Sequence, residues 1–211
     1  MGILNSKGEF LLNLDPDDEL LGYDSLKYLY ETAKKNKVDI VLFSFKKNNI
    51  VIKKCNNYNN ILKQPKMFNI AFDSKNHLVD DIFWNKFIKK KILIKAYKIF
   101  KEKINSVKWN YYEDNIWSIL IHKYAKSMIC IKKVIYNYKF NNKNSIMHNF
   151  GNLLELKNLI YRGEMLIKIF NKKNEEKFII SGILRTIKIV KSRHFLSLLN
   201  NNLDIKNKLN F

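Results

Sequence analysis

Apolar residues along this chain gather in short runs separated by polar turns. Glu9–Leu14 (EFLLNL) is such a run, and it stops at Asp15-Pro16-Asp17-Asp18, the pattern of a buried strand closed by a turn. Leu26, Leu29, Tyr30 and Ala33 then recur at helical spacing, which predicts a helix to about Lys37 capped by Asp24 or Ser25. Asp39–Phe45 (DIVLFSF) reads as a second buried strand, Asn48-Asn49 as a turn, and Ile50–Lys53 as the returning arm of a hairpin. Gln64–Phe72 fits helix or strand, Phe83–Ile88 a short strand, and Lys91–Phe100 a helix. Asp114 opens the best-formed helix, with Ile116, Trp117, Leu120, Ile121 and Tyr124 on one face and an acidic start that suits the helix dipole. Ile131–Phe140 alternates as a strand does. After it the pattern turns helical, over Leu153–Phe170, Glu175–Val190 and Phe195–Leu203. Strands mixed with helices and followed by a helical tail predict an α/β fold.

Composition narrows the class. The chain has 211 residues, enough for one domain with a sizeable core, and 46% are hydrophobic, too many for a disordered basic tail. Six Gly and two Pro exclude collagen-like and low-complexity architectures. Ile40–Phe45 and Ile179–Leu184, the longest apolar runs, are far shorter than a bilayer span, and Lys7 and Glu9 interrupt any leader-like stretch. Cys55 and Cys130 are too few for a disulfide framework or a cysteine zinc cluster, which favours a reducing compartment and a structural role for both. The net charge of +20 invites an anionic partner, but all but three of the 39 basic residues are lysines, spread along the whole chain. Readers of bases and phosphates favour the arginine fork. A solvated lysine surface, of the kind an A+T-rich coding sequence produces, accounts for the excess better than a nucleic-acid footprint.

The candidate chemistry lies in the few acids. Asp15, Asp17 and Asp18 stand where a strand ends, and two or three carboxylates on one turn suit Mg²⁺ or Mn²⁺ while leaving positions for substrate phosphates. The same residues also make a good turn or helix start. Asp114 is equally a helix N-cap or a fixed general base. His77, His122, His148 and His194 show no metal-ligand spacing, and His122 reads as a surface or packing residue. There is no G-x-S-x-G elbow and no Gly-rich phosphate loop. Met1-Gly2 through Ser6 matches the N-myristoylation pattern, a short match that arises often by chance.

Taken in order, SKGEFLLNLDPDDEL, DIVLFSF, FWNKFIKKKIL, YYEDNIW with IHKYAKSM, and IYNYKFNNKNSI resemble the family 2 glycosyltransferases of GT-A fold. The Asp-x-Asp-Asp stretch is similar to that family's metal and nucleotide-sugar motif, Trp84-Asn85-Lys86 to its W-N-K block, and Glu113-Asp114 to its E-D motif. Tyr136-Asn137-Tyr138 and Asn144-Ser145-Ile146 resemble the strand and loop that follow. The resemblance covers about residues 2–150. It implies a partial GT-A-like, Rossmann-like mixed sheet with flanking helices and a helical C-terminal tail, in which residues 1–150 form the catalytic region and 151–211 a helical extension packed on the same domain. Family members begin with further βα units that bind the nucleotide base, and none stands before Met1. The resemblance therefore implies the C-terminal part of a longer enzyme or a truncated product.

The roles it implies are specific. Asp15 and Asp17 would bind the nucleotide-sugar, and Asp17 and Asp18 would hold Mn²⁺ or Mg²⁺ against its diphosphate. Asp114 would take the proton from the acceptor hydroxyl, with inversion at the anomeric carbon, Glu113 would orient the acceptor or Asp114, and Trp84 would form an acceptor-sugar platform, or equally a part of the core. The acceptor would be a glycan or a lipid-linked glycan, the setting cytoplasmic or peripheral at the inner membrane face, and a second chain could complete the sheet. The competing expectation is a non-catalytic basic module that binds an anionic membrane surface or nucleic acid.

Overall fold

The unbroken apolar run at Ile40–Phe45 forms the centre of the computed structural model, which describes residues 2–52, 60–71, 82–104, 113–139, 164–167 and 169–170. In chain order the elements are α1 (Gly2–Asn5), β1 (Phe10–Leu12), β2 (Glu19–Leu20), α2 (Ser25–Asn36), β3 (Ile40–Lys47), β4 (Ile50–Ile52), β5 (Leu62–Lys63) and α3 (Lys66–Ala71). There follow β6 (Lys86–Lys89), α4 (Lys90–Ile104), α5 (Glu113–Tyr124) and β7 (Ser127–Tyr138). Among the described residues these strands make one seven-stranded mixed sheet of order β1-β6-β3-β7-β2, with β4 on β3 and β5 on β7. β3 runs parallel to β7 and antiparallel to β6 and β4. The first six residues of β3 are all buried. A central strand covered on both faces needs no alternation, which is why the run is continuous.

Local chemistry explains several boundaries. Asn48 and Asn49 both take positive φ, 48° and 66°, between the paired Lys47 and Ile50. Two left-handed residues make the turn whose twist suits a two-residue hairpin, and asparagine tolerates that conformation. α2 ends in a left-handed Lys37, whose N–H reaches back to Lys34 O while Val38 N–H reaches Ala33 O, a Schellman closure. Asp24 occupies the N-cap of α2 but makes no capping bond: its carboxylate accepts from Lys133 Nζ at 2.9 Å. Ser25 Oγ donates to Leu21 O, so neither expected cap satisfies the helix start.

The expected elements shift where long-range pairing overrides local pattern. β7 begins at Ser127, four residues earlier than the alternation at Ile131 predicts, because Met128 to Ile131 pair with β3 and need no polar face. β6 occupies Lys86–Lys89, whereas Trp84 and Asn85 lie in the turn before it. The ambiguous segment Gln64–Phe72 is helical at Lys66–Ala71. β2, with two residues, has no periodicity from which to be read. Cys130 is disulfide-bonded and not a free structural thiol, which removes the cysteine count as an argument for a reducing compartment; Cys55 lies outside the described residues.

The chain divides into two compact units, residues 1–106 with 113–145, and residues 107–112 with 146–211. The first holds the sheet. Its core includes Phe10, Leu29, Val41, Phe43, Phe45, Trp84, Phe87, Ile135 and Tyr136. In the second, residues 164–167 and 169 are helical, with Met165, Leu166, Ile169 and Phe170 buried and Ile167 exposed. The helices expected over 175–190 and 195–203, most of that over 153–170, His77, His148 and His194 lie outside the described residues. No helix among the described residues is long and apolar enough to cross a membrane.

Candidate functional site

β1 delivers the chain to the carboxylate turn. Asp18 N–H donates to Asp15 O at 3.1 Å, closing a β-turn with Pro16 at its second position, where the fixed φ of proline belongs. Asp17 is exposed at the tip, while Asp15 and Asp18 are partly covered. Asn13 Nδ2 donates to Asp15 Oδ1 at 3.0 Å. The outgoing chain then pairs with the far end of β7: Glu19 faces Asn137, Leu20 faces Tyr136, and Leu21 N–H bonds Ile135 O.

Side chains of that strand end hold the turn. Tyr136 Oη accepts from Asp15 N–H at 3.1 Å and donates to Asp18 Oδ2 at 2.8 Å. Lys139 N–H donates to Asp18 Oδ1 at 2.9 Å. Glu19 accepts from Asn137 Nδ2 at 2.7 Å and pairs with Lys139 Nζ at 3.0 Å, which together hold its carboxyl below the usual range.

Two residues apart on one strand, Tyr136 and Tyr138 share a face, and both rings lie nearly parallel to Trp84, with centroids 4.4 and 5.3 Å away. Phe45 meets Trp84 edge-on at 4.7 Å. Trp84 is only 6% exposed, so it belongs to the packed layer beneath these tyrosines. The next two residues of its block are fully buried as well: Lys86 Nζ donates to Asn85 Oδ1 at 2.8 Å and to Ile82 O. Sequence reasoning assigned no site role to either tyrosine. The available signal was the recurrence of two aromatics two residues apart on one strand.

Asp114 lies in the first turn of α5, partly exposed, next to the buried Asn115 and Ile116. The side chain of Glu113, which begins that helix, is outside the described residues. His122 is fully buried, with Nδ1 2.7 Å from Ser118 O, and so packs inside and not on the surface. Tyr138 links the two acidic places. Burial pushes its hydroxyl pKa up, and the charges of Asp18, Asp17, Asp15 and Asp114 push it further in the same direction. Burial likewise raises that of Tyr136, which therefore remains a hydrogen-bond donor to Asp18 throughout the physiological range. The carboxylate turn and the start of α5 thus act on one half-buried phenol, as the sequence order alone could not show.

The donor set has a definite chemistry. A hard divalent cation takes one or two carboxylates and completes its shell with phosphate and water oxygens. Asp17 at the turn tip and the partly covered Asp18 fit that use. Among the described residues no group of three or more His, Cys, Asp or Glu could hold a metal ion.

Residues 1–96 match the family model described as Glycosyl transferase family 2. No curated protein sequence matches the chain. Among solved structures, the fold is similar to S. aureus TarS 1-349 in complex with UDP-GlcNAc, at 14% identity and TM-score 0.63, covering 98% of this chain and 55% of that one. TarS 1-349 in complex with UDP is similar at 14% identity and TM-score 0.59, covering 98% and 54%. The chain therefore spans about half the length of these neighbours. The likeness is one of fold: a mixed sheet with flanking helices that corresponds to part of a GT-A domain.

Proposed function

We propose that this chain, whose residues 1–96 match the glycosyl transferase family 2 model, serves the transfer of a sugar from a nucleotide-sugar donor to an acceptor hydroxyl. The single observation that carries this reading is the match of residues 1–96 to the glycosyl transferase family 2 model, and the charges of the carboxylate turn and of Asp114, which all act on Tyr138, support it. The solved neighbours bind UDP-GlcNAc and UDP, which favours a uridine diphosphate sugar as the donor class.

The residues divide the work by position. Asp15, tied by its backbone to Tyr136, would bind the nucleotide-sugar, and Asp17 and Asp18, the latter held by Tyr136, would hold Mn²⁺ or Mg²⁺. Such an ion, when bound, neutralises charge developing on the leaving nucleoside diphosphate. Asp114 accepts the proton of the acceptor hydroxyl as that oxygen attacks the anomeric carbon, and the configuration there inverts. Its place in the first turn of α5 restricts the carboxylate to one region, as a base must be restricted. Glu113 orients the acceptor or Asp114. Trp84 serves the acceptor from beneath, as the support for Tyr138, which carries the accessible part of the aromatic surface. The acceptor is a glycan or lipid-linked glycan, and the place of action is the cytoplasm or the inner membrane face, where an exposed lysine surface meets anionic lipid.

Calorimetry on the 211-residue chain tests the donor site. Mn²⁺ should bind saturably in the presence of pyrophosphate, a ligand that needs no base-binding unit, and Asp17→Asn should weaken that binding about tenfold or more, the effect of removing a charged ligand. No binding of Mn²⁺ or Mg²⁺ with pyrophosphate would overturn the metal-diphosphate assignment.

A further inference from the structure

We propose that Tyr136 is the positioning residue of the carboxylate turn, setting through its hydroxyl the orientation in which Asp17 and Asp18 meet a cation carrying a diphosphate. The inference rests on the nucleotide-sugar reading above and adds to it a residue that touches no ligand. A phenolic hydroxyl has one proton to give and lone pairs to accept with. Asp15 N–H can only donate, at 3.1 Å, so the proton of Tyr136 goes to Asp18 Oδ2, at 2.8 Å. The second Asp18 oxygen is taken by Lys139 N–H at 2.9 Å. One carboxylate is thus gripped at both oxygens by the end of a single strand, and each oxygen keeps a further lone pair for a cation.

The grip is rigid because its base is rigid. Tyr136 is fully buried and its ring stacks on the buried Trp84. The turn is about 120 residues away along the chain (separations of 121 and 118), so what the phenol supplies no local sequence signal supplies. Two groups flanking the exposed Asp17 tip, the Asp18 carboxylate one residue after it and the Asp15 N–H two residues before it, answer to one oxygen atom. Its removal should therefore free the turn while leaving the aromatic stack in place.

Tyr136→Phe in the 211-residue chain makes that removal. Amide hydrogen exchange read by NMR reports the grip, and Mn²⁺ affinity in the presence of UDP, read by electron paramagnetic resonance, reports its purpose. The expected result is exchange of the Asp15 amide about tenfold faster and Mn²⁺ affinity about tenfold weaker, the scale of one charge-assisted bond, with a melting temperature nearly unchanged. An unchanged Asp15 amide and unchanged affinity would overturn the proposal. Weaker Mn²⁺ binding with the Asp15 amide still protected would also overturn it, because the effect would not pass through the turn. The unmodified chain provides a reading that needs no variant: the Asp15 amide should exchange slowly although it lies on a turn, and free exchange there sinks the grip. Absence of Mn²⁺ binding by the unmodified chain, with a protected Asp15 amide that Tyr136→Phe releases, supports the grip and removes the nucleotide-sugar reading instead.

Discussion

Asp114 is the residue whose role is most sharply separable from folding. It is partly exposed, and Asn115 and Ile116 beside it make the buried contacts of that turn. Asp114→Asn keeps the size and an acceptor oxygen but loses the ability to take a proton. In an enzyme that also carries the base-binding units, UDP binding should therefore stay within about twofold, while turnover of a UDP-sugar, measured as release of UDP, should fall by about 10²–10⁴. Retained turnover would remove the base assignment. At the same scale, the sequence singled out the four aspartates because a turn after an apolar run and a helix start are both local patterns, and the structure puts three of them on that turn and the fourth in the first turn of α5. The sequence left Trp84 between an acceptor-sugar platform and a core residue, and packing against Phe45, Tyr136 and Tyr138 buries it. No local pattern distinguishes a buried tryptophan from an exposed one; only the strands that cover it do.

Among the elements, α2 shows how much a boundary can depend on distant residues. Its hydrophobic spacing predicts the helix, and the observed Ser25–Asn36 agrees with the predicted extent to within a residue. Its start does not follow the capping rule, because Lys133 on β7 draws the Asp24 carboxylate away. Its end places a lysine, Lys37, at φ 51°. Left-handed backbone costs a residue with a Cβ about 1–2 kcal/mol, partly offset by the greater freedom glycine loses on folding. Lys37→Gly should therefore stabilise the protein by about 0.5–1 kcal/mol, seen as a higher denaturant midpoint with an unchanged slope. A lower midpoint would contradict the cap geometry. β2 illustrates the opposite limit: two residues carry no pattern, and the strand exists only because β7 offers it an edge.

For the whole molecule, exposed ion pairs tie pieces of the sheet unit together. The Lys34 hydrogen bond lowers the pKa of Glu9, Asn137 and then Lys139 lower that of Glu19, and Lys133 lowers that of Asp24. Each carboxylate is more acidic folded than unfolded, so its contribution is present above the ordinary carboxylate range and is lost as pH falls through the folded value. The melting temperature should fall between about pH 5 and pH 3, and less so in 0.5 M salt, because the groups are exposed and screened. Thermal melts at the two ionic strengths check this; a fall equally steep at high salt would mean that other groups govern it.

What the sequence by itself determined is what depends on neighbours in the chain. β3 is specified by a continuous apolar run, α2, α4 and α5 by spacing, the β3–β4 hairpin by Asn48-Asn49, and the carboxylate turn by Pro16 after β1. The family resemblance also lay there, in the order of short motifs, and residues 1–96 match that family's model. The tertiary structure alone decided which side chains serve that turn. Tyr136, Tyr138 and Lys139 reach it from the end of β7, across more than a hundred residues, because β3 and β7 pair in parallel and β2 closes on β7. The burial of Trp84 and the early start of β7 were decided in the same way. Hydrogen bonds and stacking act over a few ångströms whatever the separation along the chain, and only the folded sheet makes those distances short.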